Sequence, residues 1–173
     1  MPQPDSHDST PEDNDDHKNI PISFQILALT TKTDLTIFEG PVNGKNARIM
    51  LDSGATGCFV SKTFITRHGM MTESLSKPES VRIANGKTLH ITEQARLTFR
   101  LGKYEHSRIF KILDLVHFDI ILGKDWLKDA NPRINWRTET YVIPYKNTMV
   151  KIKPIDVGQN MVTEAVDSIQ MIS

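Results

Sequence analysis

The stretch Ile49-Met-Leu-Asp-Ser-Gly-Ala-Thr56 sets an acid directly after three apolar residues and follows it with a small, turn-forming triplet. The apolar run reads as a strand end, and a carboxylate there is expensive to bury unless something pairs with it. Two readings of Asp52 follow. In one, it is a turn or cap residue whose carboxylate accepts local backbone N–H bonds. In the other, it projects toward a second carboxylate. Some seventy residues on, Phe118-Asp-Ile-Ile-Leu-Gly-Lys-Asp-Trp-Leu127 repeats the device without the acid: an apolar run ends at a Gly and turns into a short helix.

Between and around these two elements the pattern is that of short strands. Leu35–Val42 and Lys45–Leu51 flank Asn43-Gly44, which suits a two-residue type I′ hairpin turn. By the same rule Val81–Ala84 and Lys87–Ile91 flank Asn85-Gly86. Ala95, Leu97, Phe99 and Leu101 alternate as one face of a strand, and Ser107–Leu113 is another strand candidate. Helix signals are short: Ser61 caps a helix that runs to His68 before Gly69, and Lys124–Asp129 forms another that Asn131-Pro132 stops. Val162, Ala165, Val166 and Ile169 fall at helical spacing in an appended segment with Asn160 as its cap. The expected organisation is an acidic leader or linker over 1–34, a mostly β domain over 35–146, and a C-terminal extension over 147–173.

At 173 residues the chain suits one compact domain with loose ends and is too short for two sizeable cores. The first 18 residues hold Asp5, Asp8, Glu12, Asp13, Asp15 and Asp16 against Lys18, so the rest of the formally neutral chain carries a thin, dispersed basic excess. That is no nucleic-acid footprint, and direct nucleic-acid binding is not expected. Cys58 is the single cysteine, so no intrachain disulfide can form, and flanked by Phe59-Val60 it reads as a small buried group. The histidines (His7, His17, His68, His90, His106, His117) show no metal-ligand spacing; no metal or cofactor is expected. Neither a signal peptide nor a membrane span is legible. Trp126 and Trp136 read as core aromatics, and Lys103, Arg108 and Lys111 as a solvated strand face.

Taken together, Asp52-Ser53-Gly54-Ala55-Thr56, the Ala84-Asn85-Gly86 hairpin and Ile120-Ile121-Leu122-Gly123-Lys124-Asp125-Trp126-Leu127, with Asn131-Pro-Arg-Ile-Asn-Trp136 trailing, resemble the protease domain of gypsy-type LTR retrotransposon Gag-Pol polyproteins, a retropepsin family. The resemblance implies an all-β acid-protease half-fold, a closed β-barrel with one or two short helices that works as a homodimer. It assigns Asp52 as the catalytic carboxylate. Ser53 braces the loop across the dimer, Gly54 lets two loops approach, Ala55 and Thr56 complete the loop, and Ile121, Leu122 and Gly123 support it from below. Ala84, Asn85 and Gly86 become a flap tip, with Ile83, Leu89 and Ile91 as pocket walls or ordinary core. One departure stands out: such flaps commonly return through a small residue, whereas this chain has Glu93-Gln94.

Peptide hydrolysis by this chemistry needs two carboxylates about one water, and the chain holds one such motif. Two-fold association meets the requirement, so the expected partner is a second copy of the chain and the expected substrate a polypeptide in extended conformation. A Ser53 nucleophile is disfavoured, because no Gly-x-Ser-x-Gly elbow surrounds it. The expected activity is aspartic endopeptidase action on a retroelement polyprotein, in the cytoplasm or a virus-like particle. The alternative is a catalytically silent binding or dimerisation module, or the remnant of a decayed element.

Overall fold

The computed structural model describes residues 23–26, by backbone alone, 35–83 and 85–156. Most of the expected leader, the segment with helical spacing after Asn160, and Ala84 lie outside the described residues. In chain order the elements are β1 (Ser23–Ile26), β2 (Thr36–Val42), β3 (Lys45–Leu51), β4 (Phe59–Ser61), α1 (Lys62–Arg67), β5 (Glu73–Ile83), β6 (Thr88–Leu101), β7 (Tyr104–Leu113), β8 (Ile120–Leu122), α2 (Lys124–Ala130), β9 (Arg133–Asn135), β10 (Thr140–Tyr145) and β11 (Thr148–Ile152). The fold is mostly β, as expected.

Eight strands form one sheet in the order β1-β5-β6-β2-β3-β8-β4-β7, and a further β6–β7 pairing closes β6, β2, β3, β8, β4 and β7 into a barrel. Closure leaves those six strands without a free edge. The remaining hairpin strand β5 extends from β6, with β1 alongside it in parallel. A second sheet, β11-β10-β9, packs Tyr141, Ile143, Val150 and Ile152 into the same core as Phe99, Phe110 and Trp126.

Local chemistry explains the corners. Asn43 and Gly44 both take positive φ, 47° and 78°, as a type I′ turn demands, and Thr98 N–H donates to Asn43 Oδ1 at 2.9 Å, tying that turn to β6. The second hairpin departs from the expected two-residue turn. Ile83 N–H donates to Lys87 O and Gly86 N–H to Ile83 O, so three residues lie beyond the closing pair, with Gly86 at φ +83°. A three-residue loop needs its left-handed position after a tight turn, and Gly86 supplies it.

Ser61 Oγ accepts from Phe64 N–H at 3.3 Å and caps α1 as expected. Asn131, at φ 42°, ends α2 ahead of Pro132. Strand pairing also runs past the expected domain limits. Thr148–Ile152 pairs with β10, Ile155 N–H donates to Ile37 O at 2.7 Å, and Ser23–Ile26 pairs with β5. The Tyr145/Thr148 pair closes a turn through Lys146 and Asn147, both at positive φ, beyond which β11 begins.

Candidate active site

Asp52 follows directly on β3, and the parallel pairing of β3 with β8 decides where it sits. Ile49, Met50 and Leu51 lie beside Ile120, Ile121 and Leu122, and Asp52 N–H extends the ladder by donating to Leu122 O at 3.0 Å. The chain then turns. Gly54 N–H donates to Asp52 Oδ1 at 2.8 Å and Ala55 N–H to Asp52 O at 3.1 Å. This is the local bond that a turn aspartate makes, and it accounts for one oxygen only. Asp52 Oδ2 is buried and accepts no hydrogen bond, a costly state for a carboxylate. Burial pushes the Asp52 carboxyl above its ordinary value, against the opposing pull of the Gly54 and Ala55 amides.

The loop rests on the start of α2. Lys124 N–H donates to Ala55 O at 2.7 Å and Asp125 N–H to Thr56 O at 3.2 Å, so amides left free at a helix start are spent on the loop's carbonyls. Such closeness requires Gly123: a Cβ there would lie 2.0 Å from Gly57 O and 2.7 Å from Ala55 O. Ile121, Leu122 and Gly123 are buried, Gly123 directly against the loop's carbonyls. Ala55 is buried and Gly54 half-buried, while Ser53 and Thr56 are exposed.

The other expected residues belong to the β5–β6 hairpin. Asn85 and Gly86 are exposed beyond its last pair. Ile91 is fully buried in a cluster with Met50, Ala55, Val81 and Ile121, so it is core; Leu89 packs partly buried against that cluster, and Ile83 is buried at the strand end. One apolar cluster therefore joins the underside of the Asp52 loop to the root of the hairpin.

Polar residues that sequence reading passed over complete the site's framework. Arg108 is not solvated: its side chain is 16% exposed and reaches across from β7 to Asp129 at 2.7 Å and Asp125 at 3.4 Å. Asp125 Oδ1 in turn accepts from Trp126 N–H at 2.7 Å and from Cys58 Sγ at 3.0 Å. Cys58 is buried as expected, yet bonded; burial, together with the Asp125 hydrogen bond and charge, pushes its thiol up to about 12, so it remains protonated and unreactive. Lys111 is likewise half-buried and paired, and only Lys103 of the three is exposed. The signal was available in strand parity. Arg108 stands in phase with Tyr104, Phe110 and Ile112, which are buried, so its side chain had to point inward. Trp126 is core, donating to Tyr104 OH at 3.1 Å, but Trp136 is 74% exposed and only edges Tyr141.

Residues 48–150 match the model of the PEG10/RTL1 protease domain. The chain belongs to this family. It is a retropepsin-like domain of retrotransposon-derived ancestry. Among solved structures, the retroviral protease-like domain of Ddi1 from Leishmania major superposes with a TM-score of 0.54 at 16% identity, over 72% of this chain and 96% of that one. At that identity the likeness speaks for the fold. EIAV protease complexed with the inhibitor HBY-793 aligns with a TM-score of 0.47 at 14% identity, over 62% of this chain and 99% of its own. Among the described residues no three metal-ligating side chains cluster, and no helix is long and apolar enough to cross a membrane.

Proposed function

We propose that this PEG10/RTL1-family domain is one half of an aspartic endopeptidase, completed when a second copy brings its own aspartate against Asp52 about a two-fold axis. The observation that carries the reading is the divided carboxylate: Oδ1 is fixed by Gly54 N–H, while Oδ2 is buried and unbonded. A turn residue has no use for that second oxygen in a dry place. A dyad does once pairing opens Oδ2, which the lone chain covers, toward the partner, because two facing carboxyls share one proton. The ionised member takes a proton from water as it attacks, and the protonated member donates to the scissile carbonyl oxygen. Exposed Ser53 suits contact between the two loops.

The substrate is an extended polypeptide lying between the β5–β6 hairpin and the loop, adding strand-type backbone bonds. By ancestry it is a segment of a gypsy-type Gag-Pol polyprotein, cut in the cytoplasm or in a virus-like particle.

Sedimentation of the purified chain beside a peptide-cleavage assay tests this. The expected result is a dimer whose cleavage is blocked by a pepstatin-like inhibitor and falls at least about a thousandfold in Asp52→Asn. Cleavage is expected to be best at acid to near-neutral pH and to decline as the shared proton is lost. Stability carries a matching signature. A carboxyl held above its ordinary value binds its proton more tightly in the folded chain. Its contribution is therefore full below the ordinary carboxylate range and is lost as pH rises through the folded value. Urea unfolding of the wild-type should show that loss, and Asp52→Asn should not. Asp52→Asn retaining wild-type cleavage would overturn Asp52 as the catalytic acid, and a wild-type dimer with no cleavage would instead mark a silent dimerisation module.

A further inference from the structure

The hairpin root carries Glu93-Gln94 where a small residue is common in flaps, and the structure gives these side chains partners. Glu73 on β5, Gln94 on β6 and Lys111 on β7 stand side by side in register across three strands. Gln94 Nε2 donates to Glu73 Oε2 at 3.4 Å, and Lys111 Nζ donates to Gln94 Oε1 at 3.0 Å. Next to this row β5 bulges: between the pairs Ser74/Glu93 and Glu79/Ile91 it spends four residues, Leu75 to Pro78, against one on β6. Beyond the bulge Glu79 also reaches the row, and Lys111 Nζ donates to its Oε1 at 3.1 Å.

Two facts set this contact apart from a loose surface ion pair. The Lys111 and Glu79 side chains are 21% and 32% exposed, so water and salt screen them less than a fully solvated pair. Glu79 Oε2 is buried without a hydrogen bond, which leaves Lys111 as the contact that compensates this carboxylate. Lys111 also has a second attachment: its backbone N–H donates to Cys58 O at 3.1 Å, just past the Asp52 loop. Its backbone thus holds the loop's exit while its side chain holds the hairpin's root.

We propose that Lys111 is a positioning residue whose ammonium, through Glu79 and Gln94, latches the root of the β5–β6 hairpin to the strand that anchors the Asp52 loop. The latch sets how freely the Asn85-Gly86 tip moves relative to the loop. Its consequence for substrate, though not the latch itself, rests on the endopeptidase reading.

Hydrogen exchange on the full chain, comparing wild-type with Lys111→Met and Lys111→Arg, tests it. Both variants keep the backbone bond to Cys58, so the barrel is preserved. In Lys111→Met the amides of Val81–Ile83 and Leu89–Ile91 should exchange about five- to tenfold faster. Those of Ile49–Leu51 and Ile120–Leu122 should not change, and Lys111→Arg should restore most of the protection. Unchanged hairpin exchange overturns the proposal, and so does an equal rise in both sets, which would mean general destabilisation. In a cleavage assay Lys111→Met should raise KM with little change in kcat. A wild-type chain that cleaves nothing would sink the endopeptidase reading and leave the exchange comparison to decide the latch.

Discussion

The Asp52 loop, which is not a strand, is fastened through its backbone, whereas the β5–β6 hairpin adds to its strand ladder a set of side-chain ties across three strands at its root. Asp52 N–H, Ala55 O, Thr56 O and Cys58 O bond to Leu122, Lys124, Asp125 and Lys111 through peptide groups. Such bonds survive the exchange of most side chains. At the hairpin's root the strand ladder is supplemented by side-chain ties of Glu73, Glu79, Gln94 and Lys111, any of which one substitution removes. Under the proposed function, a carboxylate that meets its twin within tenths of an ångström gains from the first kind of fastening. A hairpin that, on the same proposal, admits a polypeptide and settles on it gains from the second, since side-chain contacts are worth little enough to break and reform.

The most damaging test of this contrast is Gly123→Ala. The new Cβ would meet the backbone carbonyl oxygens of Gly57 and Ala55, and Ala55 O is the one that accepts from Lys124 N–H, so the loop cannot move aside there without breaking that bond. A loss of about 3 kcal/mol or more, read by urea unfolding, is expected. A stable Gly123→Ala chain with unchanged loop exchange would show that the backbone fastening has slack and that the contrast is overdrawn.

Arg108→Met sharpens the comparison at the one place where side chains also brace the loop's support. Arg108 ties β7 to both acids of α2, and Asp125 passes that tie to Cys58. Asp125 and Asp129 keep 43% and 60% of their exposure, so water can take over part of the lost interaction. The expected cost is about 1–2 kcal/mol, with faster exchange in α2 and little change in the hairpin.

Sequence legibility divides along the same line. The Asp52 loop was readable because it rests on apolar runs, a Gly and turn residues, all of which leave local marks. Gly123 lies against the carbonyls of Ala55 and Gly57, and Ile121 is buried in one cluster with Met50 and Ala55. The Asn43-Gly44 hairpin was readable for the same reason, and Asn85-Gly86 announced a turn, though one residue longer than the two-residue turn expected. The polar framework was missed because its partners are distant in the chain. Arg108 with Asp129 and Lys111 with Glu79 meet only once β7 lies against α2 and β5. Parity could have placed Arg108 inward, but no local rule names its partner. The strands at Thr148–Ile152 and Ser23–Ile26 were passed over for a related reason: each is short and defined by what it pairs with.

Gly86→Ala is the gentlest test, and it asks whether the hairpin tip is as unencumbered as its fastening implies. Unlike Gly123, Gly86 has nothing within 4 Å of an added Cβ, so its constraint is conformational: φ is +83°. The cost should be that of forcing Ala into the left-handed region, about 1 kcal/mol, and Gly86→Asn should recover part of it because Asn tolerates that region. Stability and tip exchange together decide the matter. If Gly86→Ala costs as much as Gly123→Ala, the tip is packed against something and the hairpin is no freer than the loop. If it costs about a third as much and Asn rescues it, the two glycines serve opposite ends: one holds the aspartate's loop still, and the other lets the chain turn at the hairpin tip.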